Sequence, residues 1–106
     1  MNAQVVAWHP VCKFEELPAL GARQWLGSSE PIAVFRNAID EVFAVVDRCP
    51  HKGGPLSQGI VFGNKVACPL HNWTIDLTTG CAEAPDEGCT RAFETKVVEG
   101  IVYVQA

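Results

Sequence analysis

The sequence predicts an all-β protein, an antiparallel sandwich or barrel, on three observations. Glycine, proline, asparagine and aspartate interrupt the chain about every eight to twelve residues, which is the spacing of short strands joined by turns. No segment carries a long apolar period of helical spacing. A Gly-Asn pair at 63–64 stands between short apolar runs, which is a two-residue hairpin signal. At 106 residues the chain supports a single hydrophobic core, so residues 1–106 are expected to form one domain.

Taken in order, residues 3–9 (AQVVAWH) read as a first strand. Residues 13–23 (KFEELPALGAR) read as a loop, with one helical turn before Pro18. Residues 32–36 (IAVFR) and 41–47 (EVFAVVD) form a hairpin through NAID. The run GIVFGNKVA is apolar on both sides of Gly63-Asn64, a two-residue hairpin signal. Residues 93–98 (FETKVV) and 101–105 (IVYVQ) make another hairpin, turning at Glu99-Gly100. There are no repeats, low-complexity segments or linkers.

Composition excludes several classes. Eight basic residues against twelve acidic give a net charge of −4, and nucleic-acid binding needs basic stripes that are absent. No apolar run approaches the roughly 18 residues of a membrane span. The opening MNAQVVAWHP lacks the basic-then-apolar order of a signal peptide, so the expected compartment is the cytoplasm. Five cysteines is an odd number, and thiols clustered in a reducing compartment are read first as metal ligands rather than bridges.

Two of the five cysteines and two of the three histidines gather in CPHKGGPLSQGIVFGNKVACPLHNW. Cys49 and His51 form a Cys-x-His pair; Cys68 and His71 form a Cys-x-x-His pair; sixteen residues separate His51 from Cys68. The Gly63-Asn64 hairpin brings the ends of that spacer together, so both pairs fall at one four-ligand site. Two thiolates and two imidazoles suit tetrahedral zinc. They equally suit a two-iron cluster with two Cys on one iron and two His on the other. Each loop supplies one Cys and one His, and both loops lie on strands, which is unlike the usual zinc knuckle.

CPH and CPLHNW, with their spacer and flanking glycines, resemble the Rieske pattern C-x-H-x(15–17)-C-x-x-H at every ligand. The resemblance implies a Rieske-type antiparallel β-sandwich or barrel with a small cluster-binding subdomain, at about residues 47–80, built of two loops and a hairpin. It implies a 2Fe-2S cluster with Cys49 and Cys68 on the inner iron and His51 and His71 on the outer one. Two ferric ions, two sulfides and two thiolates sum to zero charge, so an added electron is accepted more readily than by a four-thiolate cluster. Imidazole ligands also titrate near neutral pH and can couple electron to proton transfer.

Other positions are read around this site. Gly53 and Gly54 let backbone pass where a side chain would clash. Pro69 and Leu70 wall the cluster from water. The segment 82–88 (AEAPDEG) lies where Rieske proteins carry a third loop, and Pro85 is its candidate proline. High-potential respiratory members add a disulfide between their two loops; the corresponding positions are Gly54 and Leu70. Those members aim Ser and Tyr hydroxyls at sulfur where Trp73 and Ile75 stand, so a low-potential centre is expected. Cys12, Cys81 and Cys89 are read as unlinked structural thiols, His9 as a surface residue, and Trp8 and Trp25 as packing. Lys52 and the acidic Glu83, Asp86 and Glu87 lie on the rim.

No Ser/His/Asp set, phosphate loop or dinucleotide fingerprint is present, so no catalytic residues are expected and the chain is read as an electron carrier. The stretch DRCPHKGGPLSQGIVFGNKVACPLHNWTIDLTTG, followed by APDEGC and VVEGIVYV, resembles the small subunit of assimilatory NAD(P)H-dependent nitrite reductase. That family implies a large-subunit partner with FAD, an iron–sulfur cluster and sirohaem, reducing nitrite to ammonium in nitrate assimilation. The alternative is the Rieske ferredoxin of an aromatic-ring dioxygenase and its reductase; those typically have glycine where Asn72 stands. A zinc-stabilised binding module is a third, non-redox reading.

Overall fold

The structure is a computed structural model that describes residues 7–27, 29–50, 53–70 and 73–106. Among these residues it is all-β, with two single-turn 3₁₀ segments at Phe14–Glu16 and Leu56–Gln58. The strands are β1 (Trp8–Lys13), β2 (Gly21–Trp25), β3 (Ile32–Arg36), β4 (Val42–Val46), β5 (Ile60–Phe62), β6 (Lys65–Ala67), β7 (Thr74–Asp76), β8 (Ala92–Val98) and β9 (Ile101–Gln105). Six form an antiparallel sheet in the order β1-β9-β8-β4-β3-β2, and three form a small sheet in the order β5-β6-β7.

All three expected hairpins are present. β3 and β4 pair from Ile32↔Val46 to Arg36↔Val42. β8 and β9 turn at Glu99-Gly100, both in the left-handed region with φ 51° and 76°. That is the turn type whose twist matches two right-twisted strands. β5 and β6 close at Phe62↔Lys65, with Gly63 at φ 59° as the first central residue.

Strand β3 explains why IAVFR is apolar throughout rather than alternating. It is buried on both faces, as a short unbroken apolar run allows. Ile32 and Val34 pack with Leu17, Ala44, Val102 and Val104 in the core of the large sheet. Ala33 and Phe35 face the other way, into a second core with Leu56, Val61, Val66, Ile75 and Leu77. Cys49 and Cys68 belong to this second core. Phe35 is fully buried, and sequestering a side chain of that size stabilises by about 1.5–3 kcal/mol. The three-stranded sheet is thereby fixed against the large one by the same strand that organises it.

Three expectations need correction. The first strand is Trp8–Lys13 rather than 3–9; residues 3–6 lie outside the described residues. It carries Pro10, which is tolerated because β1 is an edge strand with an irregular register between Pro10 and Cys12. The segment read as loop to residue 23 contains the 3₁₀ turn and then the start of β2, a full partner of β3. Cys81 and Cys89 are not unlinked thiols: they form a disulfide.

Candidate metal centre

Two loops and a third segment meet at the tip of the small sheet. The first loop leaves β4 through Asp47, which is buried at 9% exposure. Its carboxylate accepts hydrogen bonds from Ser57 N at 2.7 Å, Ser57 Oγ at 2.6 Å and Gln24 Nε2 at 2.7 Å. Asp47 and Ser57 thus clasp the two ends of the loop. Within it, Cys49 N donates to Gly54 O and Gly53 N to Cys49 O, each at 2.8 Å. Gly53 holds φ 73°, a conformation side-chain-bearing residues avoid.

The second loop joins β6 to β7. Cys68 N donates to Trp73 O at 2.7 Å, which closes the loop on itself. Cys49 and Cys68 are each 1% exposed. The loops touch through Gly54, where a Cβ would lie 2.8 Å from Leu70 Cδ1 and 3.6 Å from Cys68 Sγ. Gly54 therefore does what its position implied. Pro69 is exposed and Leu70 half-exposed at 52%, leaning on Gly54. The structure brings the two sequence-predicted thiols into one core; His51, Lys52, His71 and Asn72 lie outside the described residues. Among the described residues no group of three His, Cys, Asp or Glu side chains is placed to hold a metal ion.

The third segment, 82–88, lies beside both. Glu83 N donates to Thr74 O at 2.9 Å, and Ala82 N to Gly88 O at 2.8 Å. A Cβ on Gly88 would fall 3.1 Å from Pro50 Cβ, so this segment rests on the residue between Cys49 and His51. The Ala84–Pro85 peptide is cis. Glu83 is not a free rim charge, because it pairs with Lys65 Nζ at 2.6 Å across the small sheet. Hydrogen bonding and charge from Glu83 raise the Lys65 pKa. Asp76, at the end of β7, accepts from the Thr78 hydroxyl and from Thr78 N, and the hydroxyl contact is the main reason its carboxyl titrates below the usual range.

Sequence reasoning missed the Asp47–Ser57 clasp and the Cys81–Cys89 bridge. The first leaves a faint trace, an Asp at the end of an apolar strand followed ten residues later by Ser. The second leaves a clearer one: the two cysteines bracket the proline segment on either side. Cys12 behaves as read, a half-buried thiol on β1 whose pKa burial raises. His9 is half-buried and stacks on Trp25 at 5.4 Å between ring centroids, which places both in edge packing.

Residues 7–94 match the Rieske [2Fe-2S] domain family. The chain belongs to that family. Its cofactor is accordingly a Rieske-type 2Fe-2S cluster, and a buried pair of soft thiol donors, one from each loop, fits the inner iron of such a group. The Rieske chain is 37% identical to the anthranilate 1,2-dioxygenase ferredoxin subunit of Burkholderia cepacia over 97% of its own length and 95% of that protein's. It is 47% identical to 4beta-methylsterol monooxygenase of Methylococcus capsulatus over 55% of its own length, but spans only 16% of that larger protein. A solved structure assigned as the small subunit of an NADPH nitrite reductase superposes with a TM-score of 0.83 at 26% identity, covering 94% of this chain and 99% of the other. Among the described residues no helix is long and apolar enough to cross a membrane.

Proposed function

We propose that the chain is the electron-transfer subunit of an NAD(P)H-dependent nitrite reductase, with Cys49, His51, Cys68 and His71 as the cluster ligands. The observation that carries the ligand set is the convergence of Cys49 and Cys68, buried in one core, on two loops pressed together at Gly54 and Leu70. When bound, the cluster takes up and gives up one electron at a time. The chain's own residues give it a setting. Cys49 and Cys68, buried in the apolar core, would hold the cluster on that side. The backbone bonds of Gly53, Gly54 and Trp73 fix the two loops. Pro50, Leu70 and the 82–88 segment limit water at the outer side.

The nitrite reductase assignment is supported by CPLHNW, by the DEGC that closes the third segment, and by the near full-length likeness to a chain assigned as such a subunit. The partner is then a larger subunit carrying flavin and sirohaem, and nitrite is reduced there rather than on this chain. A second reading, the ferredoxin of a ring-hydroxylating dioxygenase, is favoured by the 37% identity to the anthranilate dioxygenase ferredoxin over nearly both full lengths. Affinity purification of the tagged chain from its host grown on nitrate separates the two. A co-purifying large protein with sirohaem and flavin absorption is expected. A non-haem iron oxygenase in its place moves the chain to the second reading.

A further inference from the structure

The Cys81–Cys89 disulfide has no part in holding a cluster, yet it sits where it can influence one. The two cysteines face each other as an isolated antiparallel bridge, with Cα atoms 3.9 Å apart. They close the 82–88 segment at its base. Cys81 is half-buried and Cys89 is exposed. Exposed bridges are the ones that exchange with solution thiols, whereas buried structural bridges resist.

A second feature is lined in part by Cys89. A groove of about 200 Å³ is lined by Glu30, Arg48, Pro50, Cys89 and Arg91, among others. Arg48, Arg91 and Glu30 give its lining a net positive charge; Arg48 and Glu30 stand 3.9 Å apart, and the Arg91 guanidinium lies 4.9 Å over the Phe93 ring. Cationic surroundings favour thiolate, the form that attacks and leaves in exchange. The groove also reaches Pro50, the residue on which Gly88 rests. One wall therefore belongs to the bridge and another to the first Cys–His loop.

We propose that Cys81–Cys89 is a second redox site of this protein, a thiol–disulfide exchange centre that takes a dithiol reductant in the groove beside Pro50. One thiolate of the dithiol attacks the exposed Cys89 Sγ. The bond to Cys81 Sγ breaks, and Cys81 leaves as a thiolate that takes up a proton. The second thiolate of the dithiol then attacks its own mixed-disulfide sulfur, releasing Cys89, which is protonated in turn. The protein gains two electrons and two protons, and the dithiol becomes a disulfide. Reduction removes the covalent bracket from the segment resting on Pro50, while the hydrogen bonds of Thr90 to Gly80 and Val46 keep its outer end in place.

The test uses the cluster-loaded protein under native conditions, with dithiothreitol as the probe, iodoacetamide to trap thiols and peptide mapping to locate them. Cys81 and Cys89 should be unlabelled before the dithiol. After millimolar dithiol both should become labelled together, as for an exchangeable bridge. The visible spectrum, read in parallel, reports the cluster separately. Cys89→Ser should leave Cys81 labelled without any reductant, which shows that the trap reports on this pair. Labelling of both wild-type cysteines before the dithiol overturns the proposal, because no bridge is then present. So does a bridge that opens only in denaturant, because it is then purely structural.

Discussion

Gly54 in the first loop and Leu70 in the second meet so closely that a Cβ on Gly54 would lie 2.8 Å from both Leu70 Cδ1 and Cγ. These are the two positions at which the resemblance places the inter-loop disulfide of high-potential Rieske proteins. A van der Waals contact stands in place of the covalent one, and it closes the loops only while residue 54 lacks a side chain.

Gly54→Ala should therefore destabilise the protein by about 1 kcal/mol, the low end of the range for inserting a methyl, because the side chain it meets is half-exposed and can turn aside. Gly54 has no positive φ, so the backbone itself accepts alanine. Adding Leu70→Ala should recover most of the loss, since Leu70 is half-exposed and its removal alone is cheap. Urea unfolding of the two single variants and the double variant measures the coupling. Equal costs of Gly54→Ala with and without Leu70 would show that the contact is not the cause.

The clasp at the base of the first loop makes a second prediction. Asp47→Ala leaves Ser57 N and Gln24 Nε2 without their acceptor and should cost about 1.5–3 kcal/mol, as expected for hydrogen bonds to a charged group. Ser57→Ala removes one of the three bonds to the carboxylate and leaves the other two donors in place, so it should cost less than Asp47→Ala. Chemical denaturation distinguishes the two. A Ser57→Ala loss as large as that of Asp47→Ala would mean that the backbone donor contributes little.

Trp73 and Ile75 bear on the reduction potential. Ile75 is fully buried beside the two thiols and brings no hydroxyl to them. Fewer hydrogen bonds to cluster sulfur leave its negative charge less screened. The midpoint should lie near the bottom of the Rieske range, about −150 mV. Spectroelectrochemical titration reads it directly, and a clearly positive midpoint contradicts the expectation.

Asp76 gives a pH prediction. Its carboxyl is held below the usual range, first by the Thr78 hydroxyl, while partial burial opposes this. A depressed pKa in the folded state contributes stability that is fully present above the unfolded value and is lost as pH falls through the folded one. Thr78→Val should move the Asp76 pKa upward and shift the acid-side loss of stability to higher pH. Carboxyl NMR titration of both proteins checks the shift. An unchanged Asp76 titration would assign the depression to the neighbouring backbone donors instead.

Much of this arrangement was legible in the residues. Gly63-Asn64 and Glu99-Gly100 announced their hairpins because turns of that length demand positive φ, and glycine supplies it. The sixteen-residue spacer and its hairpin foretold that Cys49 and Cys68 would fall in the same part of the fold, and both lie in one core. β2 was hidden because GARQW has no strict alternation, and the strand exists through its pairing with β3. β7, no shorter than β5 or β6, was hidden because the Cys68–Trp73 loop before it carries no hairpin turn signal. The Cys81–Cys89 bridge was hidden by the expectation of a reducing compartment, which outweighed the symmetric placement of the two cysteines around the proline segment.

The ligand set is tested most directly by pulsed EPR on the reduced, cluster-loaded protein with 15N-labelled histidine. Strong couplings from two histidine nitrogens are expected, one lost in His51→Cys and the other in His71→Cys. Couplings from fewer than two histidine nitrogens, or couplings unchanged in those variants, would contradict that ligand set.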